Sequence, residues 1–256
     1  MINLDGGVVI VTGSASGSGA ATARMLSERG SKVVINYSRS AEKAESVAKE
    51  CKALGAEVIL QQADVSKDED CRLMARVALD KWGRIDGLVN NAGTNRPEHF
   101  TKIKKEDMEY VVDLNIKAAF HVAQLGSKIM LKSKKRKLRG GSIINMSSQL
   151  GKVGAPNRSV YNMTKFGLEG LTKGMAIDLA KNNIRVNTVC PTFIVTPMTK
   201  KFLKNKKFKS SILKNIPLGR FADVSDVATA VTFLASDASS MITGTSILID
   251  GGWTAQ

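Results

Sequence analysis

Short apolar runs alternate along the chain with longer stretches in which apolar positions recur at helical spacing. The first run, Val8-Val9-Ile10-Val11, precedes a periodic segment over 20–29 that Gly30 closes, as glycine commonly does at a helix carboxyl end. Further strands are predicted over 32–36, 58–61, 87–90, 142–146, 184–189 and 246–249. Helices are predicted over 41–54, 67–82, 105–130, 161–180 and 224–235. The strands lack the apolar–polar alternation of a sheet with one wet face, so both faces are buried and helices cover each. The expected fold class is α/β: a single-domain, Rossmann-type, doubly wound parallel sheet. Right-handed crossovers then put ligand sites beyond the carboxyl ends of the strands, where the strand order reverses. With 256 residues, 5 prolines and no solenoid-length repeat, one domain spanning 1–256 is expected.

Candidate chemistry begins where the first strand ends. Thr12-Gly13-Ser14-Ala15-Ser16-Gly17-Ser18-Gly19 leads into a helix, and its glycines let backbone approach a phosphate at the positive helix end. The spacing, G-x3-G-x-G, differs from the usual dinucleotide fingerprint, and an ordinary strand-to-helix turn is the simpler reading of a glycine-rich stretch alone. Farther on, Tyr161-Asn162-Met163-Thr164-Lys165 sets a phenol and an ammonium four apart on one helix face. A tyrosine with its ordinary pKa of about 10 is a poor proton catalyst near neutrality, and a nearby lysine charge favours the phenolate. Ser148 follows the strand over 142–146, where a hydroxyl can hold a substrate oxygen.

Taken together, Thr12 to Gly19, Asn90-Asn91-Ala92-Gly93, Asn115, Ser148, Tyr161-x3-Lys165, Pro191 to Thr196 and the terminal Ile242-Thr243-Gly244 with Asp250-Gly251-Gly252 resemble the short-chain dehydrogenase/reductase superfamily in order and spacing. The resemblance implies an enzyme acting on a CH–OH group with NAD(P). It makes Tyr161 the general acid in reduction, Ser148 the carbonyl-oxygen donor and Lys165 both the tuner of the phenol and a ribose ligand. Asn115 is implied to relay protons through water; repair of a helix kink by its side chain is a second role compatible with the first. Gly13, Ser14, Ser16, Gly17, Ser18 and Gly19 are implied to form the cofactor turn. Asp64 and Val65 are implied to contact adenine, Asn91, Ala92 and Gly93 to border the ribose, and Pro191, Ile194 and Thr196 to meet the nicotinamide. Ordinary turn chemistry explains the same residues without a ligand. Two positions depart from the family's pattern: Ser18 replaces an isoleucine beside the nicotinamide, and Thr192 replaces the glycine after Pro191.

Family members that prefer NAD usually end the second strand with an acid that bonds the ribose hydroxyls. Here Tyr37 takes its place, and Ser38 with Arg39 offers a hydroxyl and a cation to a 2′-phosphate. NADP(H) is therefore favoured, with NAD(H) use possible; an Arg39 facing solvent is the plain alternative. The pattern is most similar to 3-oxoacyl-acyl-carrier-protein reductases, with sugar, sugar-acid and steroid dehydrogenases as alternatives, since fold and catalytic residues do not separate them. A substrate loop over 192–217 carries Phe193, Met198, Phe202, Leu203 and Phe208 as an apolar wall. The resemblance further implies a homotetramer, paired through the helices over 105–130 and 161–180 and through the segment around Trp253.

Charge adds one feature. The formal net charge is +15, and residues 97–256 hold most of the excess, with 25 basic against 11 acidic side chains. Two runs, 132–139 and 200–209, are dense in lysine and could attract an anionic partner; solvated loops are the bland reading. Acyl carrier protein is acidic, which makes it a candidate partner for the first run. The amino terminus lacks a signal-peptide pattern and no segment is long and apolar enough to span a membrane, so a cytoplasmic protein without membrane association is expected. Cys51, Cys71 and Cys190 form no CxxC pair, and with His99 and His121 as the only histidines no metal site is expected. A non-catalytic cofactor sensor or RNA-binding protein is the alternative of another class, but RNA-reading motifs are missing and nucleic-acid partners are not expected.

Overall fold

A computed structural model describes residues 2–133, 140–196, 199–200 and 203–256. Seven strands, β1 (Val8–Val11), β2 (Lys32–Tyr37), β3 (Val58–Gln62), β4 (Gly87–Asn90), β5 (Gly141–Met146), β6 (Ile184–Pro191) and β7 (Ser246–Ile249), form one parallel sheet in the order β3-β2-β1-β4-β5-β6-β7. The order reverses between β1 and β4, so the crevice for a ligand opens beyond the carboxyl ends of those two strands. The expected fold class and every predicted strand are present.

Eight α-helices are described: α1 (Gly17–Glu28), α2 (Ala41–Ala53), α3 (Asp68–Trp82), α4 (Lys105–Val112), α5 (Ala118–Lys132), α6 (Ser159–Ala180), α7 (Lys206–Leu213) and α8 (Val224–Ala235). Successive strand side chains point to opposite faces, so β1 splits its residues between two cores. Val9 and Val11 join Leu26 of α1, Val47 of α2 and Val227, Val231 and Leu234 of α8. Val8 and Ile10 join Met74 of α3, Val122 and Met130 of α5 and Ala176 of α6. Both faces of the central strands are thus dry, whereas β3 and β7 at the sheet edges stay partly exposed.

Two features depart from the expected pattern. The helix expected over 105–130 is interrupted by a π-helical turn, Asp113–Lys117, between α4 and α5. Apolar spacing cannot reveal such a turn, because it widens the helix without ending it. The segment over 192–217, expected as a loop, contains α7, whose lysine-rich composition masks its period. Positions 134–139 of the first basic run, and Met198 and Phe202 of the expected apolar wall, lie outside the described residues.

Candidate active site

The carboxyl ends of β1 and β4 are knitted together by side chains of the glycine-rich turn. The Thr12 hydroxyl accepts from the backbone N–H of Asn91 and of Ala92, each at 2.9 Å. Asn91 returns the contact, donating through Nδ2 to the carbonyls of Thr12 (2.9 Å) and Gly13 (3.1 Å). Gly13 and Gly17 have φ of 62° and 59°, where glycine is favoured. A Cβ on Gly19 would stand 2.4 Å from Asn91 Nδ2 and 2.6 Å from the Gly13 carbonyl, so this approach excludes any side chain. Ser14 is fully buried and committed to the fold, its Oγ donating to the Val11 carbonyl at 2.8 Å and accepting from Asn36 N–H at 3.0 Å. Its backbone N–H is likewise committed, donating to the Asn36 carbonyl at 2.8 Å. Ser16 starts α1 without using its side chain as a cap, and no acidic residue stands in the first turn. The free N–H groups and the positive helix end leave a cradle suited to a phosphate.

The ends of β2 and β3 extend this cradle. Asn36 fixes the turn from below, accepting from Gly13 N–H at 3.0 Å and donating to the Ala63 carbonyl at 3.0 Å. Tyr37 is half-buried, while Ser38 and Arg39 are exposed. Arg39 Nη2 donates to the Tyr110 hydroxyl of α4 at 3.4 Å, and the Arg96 guanidinium lies 4.4 Å from the Tyr110 ring centroid. Asp64 is held below its ordinary pKa, chiefly by hydrogen bonds from Ser66, with Lys67 and Arg39 adding to the effect. Val65 beside it is buried.

A second group gathers at the ends of β4, β5 and β6. Ser148 leaves β5 with its Oγ accepting from Leu150 N–H at 3.1 Å and donating to the Pro191 carbonyl at 3.4 Å. Lys165 is 5% exposed; its Nζ donates to the Met146 carbonyl at 2.7 Å and lies 5.3 Å from the Tyr161 ring centroid. Burial pushes its pKa down to about 8, against the opposing pull of Cys190 and Glu169. Burial also raises the Tyr161 phenol, while a hydrogen bond with Ser148 and the charge of Arg158 act the other way. The lowering that the sequence argument assigned to Lys165 is not realised: burial outweighs Ser148 and Arg158, and the phenol stays above its ordinary value.

Asn115 sits in the π turn, 2% exposed. Its amide bonds both backbone groups of Thr94, donating to the carbonyl at 2.9 Å and accepting from the N–H at 2.8 Å, and also donates to Thr164 Oγ1 at 3.2 Å. It therefore links the turn after β4 to α6 rather than mending its own helix. Gly93 lies between the pieces: a Cβ there would be 3.2 Å from Asn115 Oδ1 and 3.9 Å from Lys165 Nζ. Asn115, Ser148, Tyr161 and Lys165 are thus brought to one place. From the other side, Thr196 Cγ2 comes within 3.6 Å of a Cβ built on Gly17, joining the segment after β6 to the phosphate cradle. Ile194, two residues earlier, is fixed by a bridge to Ala222.

A family model described as enoyl-(acyl carrier protein) reductase matches residues 13–254. The chain is 40% identical over 243 residues to the 3-oxoacyl-acyl-carrier-protein reductase FabG of Staphylococcus aureus strain Mu50, covering 95% of this chain and 96% of the relative. The chain belongs to the short-chain dehydrogenase/reductase family. The corresponding FabG protein of Thermotoga maritima is also 40% identical, over 251 residues, covering 98% and 99% of the two chains. Among solved structures of this dehydrogenase/reductase family, a gluconate 5-dehydrogenase from Burkholderia cenocepacia J2315 in complex with NADP and tartrate is similar, with a TM-score of 0.92 and 31% identity over 99% of this chain and 97% of the other. A short-chain type dehydrogenase/reductase from Mycobacterium marinum matches with a TM-score of 0.92 and 30% identity over 99% and 98%.

Both departures from the short-chain dehydrogenase/reductase pattern now have a structural setting. Ser18 Oγ donates to Asn91 Oδ1 at 3.1 Å, occupying the amide oxygen whose nitrogen already holds the turn. Thr192 is buried and its backbone N–H donates to the Ile249 carbonyl at 3.0 Å, while its hydroxyl has no partner among the described residues. Sequence reasoning missed Glu169, which is buried behind Lys165 and accepts from Lys152 Nζ (2.6 Å), Thr188 Oγ1 (3.1 Å) and Cys190 Sγ (3.3 Å). Its position four residues after Lys165, on the same helix face, was the available signal. Arg158, three residues before Tyr161, was missed for lack of any motif.

Proposed function

We propose that this oxidoreductase reduces a 3-oxoacyl group presented on an acyl carrier protein, using NADPH. The observation that carries the reading is the convergence of Ser148, Tyr161 and Lys165 beside the glycine-rich cradle, in a chain 40% identical over 98% of its length to a 3-oxoacyl-acyl-carrier-protein reductase. The tight glycine turn, closed against Ala92 and Asn91 at Gly13 and Gly19, and the uncapped start of α1 fit a dinucleotide. Arg39, with no acid at the end of β2, supports a 2′-phosphate and hence NADP(H), and NAD(H) remains the alternative cofactor.

When bound, the nicotinamide supplies the hydride. Ser148 holds the substrate's carbonyl oxygen, and Tyr161 gives that oxygen its proton. The Lys165 charge favours the phenolate left behind, and its ammonium also binds the ribose. Asn115 keeps the turn at Thr94 in place and orients water that returns the proton. Ser16, Gly17, Ser18 and Gly19 hold the pyrophosphate, Tyr37, Ser38 and Arg39 the adenosine ribose, and Asp64 with Val65 the adenine. Asn91, Ala92 and Gly93 border the other ribose, and Pro191, Ile194 and Thr196 the nicotinamide.

A second reading, a sugar-acid dehydrogenase, is favoured by the similarity to gluconate 5-dehydrogenase. One assay separates them: NADPH oxidation, followed by its near-ultraviolet absorbance, on 3-oxoacyl thioesters, with oxidation of gluconate by NADP in parallel. Turnover of gluconate alone would overturn the acyl reading. The single sheet with a core on each face supports one domain over 1–256. Phe120 and Leu131 of α5 and Met163, Phe166 and Ile177 of α6 are exposed, which supports pairing of these helices in a homotetramer. Light scattering that finds a monomer at micromolar concentration would refute the assembly. No helix among the described residues is long and apolar enough to cross a membrane.

A further inference from the structure

Seven lysines and no carboxylate fall between positions 200 and 214. Some lysines elsewhere are drawn into ion pairs, as Lys32 with Glu57, Lys117 with Asp113 and Lys152 with Glu169, but no carboxylate in this segment offers one. Among the described residues, Lys206, Lys209 and Lys214 have no such partner and are exposed.

These three are held on a fixed scaffold. Asn205 caps α7, its Oδ1 accepting from Phe208 N–H at 3.1 Å. The Phe208 ring packs edge-on against Phe193 at 6.0 Å, and Phe193 stacks on Trp253 at 6.1 Å. Ile212, one turn beyond Phe208, is buried as well. The apolar face of α7 is therefore used up against the body. The other face presents Lys206, Lys209 and Lys214 around Ser210 and Leu213, lining an open recess of about 470 Å³. This segment leaves β6 at Pro191, whose carbonyl accepts from Ser148, and returns where Gly251 meets Ile216 and Gly252 meets Pro217. The cationic face is thus carried by the segment that starts at the catalytic serine.

We propose that the Lys206–Lys209–Lys214 face of α7 is the docking surface for the acidic protein that carries the acyl substrate; this rests on the function proposed above. From Lys206 to Lys214 the helix rises about 12 Å. Cations spread over two turns match a row of carboxylates on a partner helix better than one compact phosphate. Phe208 and Ile212 pack inward, so the face keeps Leu213 alone as an apolar side chain, too little for a lipid surface, and offers no ring for stacking a base.

The test compares wild type with the triple variant Lys206→Glu/Lys209→Glu/Lys214→Glu on one 3-oxoacyl group carried by acyl carrier protein, by coenzyme A and by N-acetylcysteamine. The expected result is a KM about tenfold higher on the carrier protein, with the two small thioesters within about twofold of wild type. Added salt should raise the wild-type KM for the carrier substrate in the same selective way. Equal losses on carrier protein and coenzyme A would assign the face to a phosphate instead and overturn the proposal, as would an unchanged KM on the carrier. Calorimetric titration of acyl carrier protein into both proteins decides the docking face without turnover. If neither protein reduces any thioester but the carrier binds wild type alone, the activity reading fails and the surface stands; no binding to wild type overturns the surface.

Discussion

Replacing Lys165 by Met should produce an enzyme that is inactive yet more stable at neutral pH. In the folded chain the ammonium is 5% exposed, and burial takes its pKa from 10.5 to about 8. That gap corresponds to roughly 3 kcal/mol of folding free energy lost at pH 7, where the group is charged in both states. The side chain returns part of this through its hydrogen bond to the Met146 carbonyl, worth about 1.5 kcal/mol. Methionine fills similar volume without charge, so the variant should gain on the order of 2 kcal/mol at pH 7. The sign of the pH dependence follows from proton counts. Between about pH 8 and 10.5 the unfolded chain binds more protons at this site, so wild type gains stability as pH rises and the penalty vanishes above the unfolded value. The variant's advantage should shrink through this window and reverse at roughly pH 9.5, where the remaining burial penalty falls to the worth of the lost hydrogen bond. Urea unfolding followed by tryptophan fluorescence at several pH values measures both quantities. A variant less stable than wild type by the same amount at every pH would show that burial does not strain this lysine.

Three further outcomes follow from the geometry. Tyr161→Phe removes the proposed proton donor and keeps the ring, so turnover should fall at least about 100-fold while NADPH binding, measured by fluorescence, survives. Arg39→Ala should weaken NADPH binding about tenfold, near the lower end for a charged hydrogen bond because the guanidinium is exposed, and leave NADH unchanged; equal losses for both would refute the reading of the β2 end. Gly19→Ala drives a Cβ into Asn91 Nδ2 and the Gly13 carbonyl, so binding of both cofactors should be lost beyond detection by fluorescence titration.

The strands were legible because burial of both faces makes the central ones predominantly apolar, although β5 and β6 also bury Asn145, Arg185 and Asn187. The candidate catalytic positions Asn115, Ser148, Tyr161 and Lys165 stood out in the sequence because their order and spacing coincide with the family's, and the fold brings them together. What escaped had specific physical causes. The π turn at Asp113–Lys117 leaves the apolar pattern of α4 and α5 intact, so nothing announced that Asn115 would reach Thr94 across it. Helix α7 hides because three of its eight positions are apolar and the other five are lysines or serines, so its inward face rests on only Phe208 and Ile212. Ser18 read only as a departure from the family's isoleucine, whereas its bond to Asn91 appears only when β1 and β4 are adjacent in the sheet. Local pattern carries elements; long-range pairing carries the tuning.

The tuning of Lys165 shows how that long-range pairing acts. Burial alone would strip the charge the proposed mechanism needs, and an unopposed carboxylate behind the ammonium would restore it almost fully. Glu169 is that carboxylate, but its charge is already engaged by Lys152 and by the hydroxyls of Thr188 and Ser246. Cys190 also leans toward stabilising the ammonium, yet burial pushes its thiol up to about 11, so near neutrality it is uncharged and Glu169 is the anion that counts. A half-neutralised carboxylate offsets only part of the desolvation cost, and the result is a lysine poised at about 8, charged at neutral pH and ready to lose its proton within a small interval above it. Glu169, Cys190 and the residues that engage Glu169 come from α6, β6, β7 and the segment after β5, which is why no single motif contains this value.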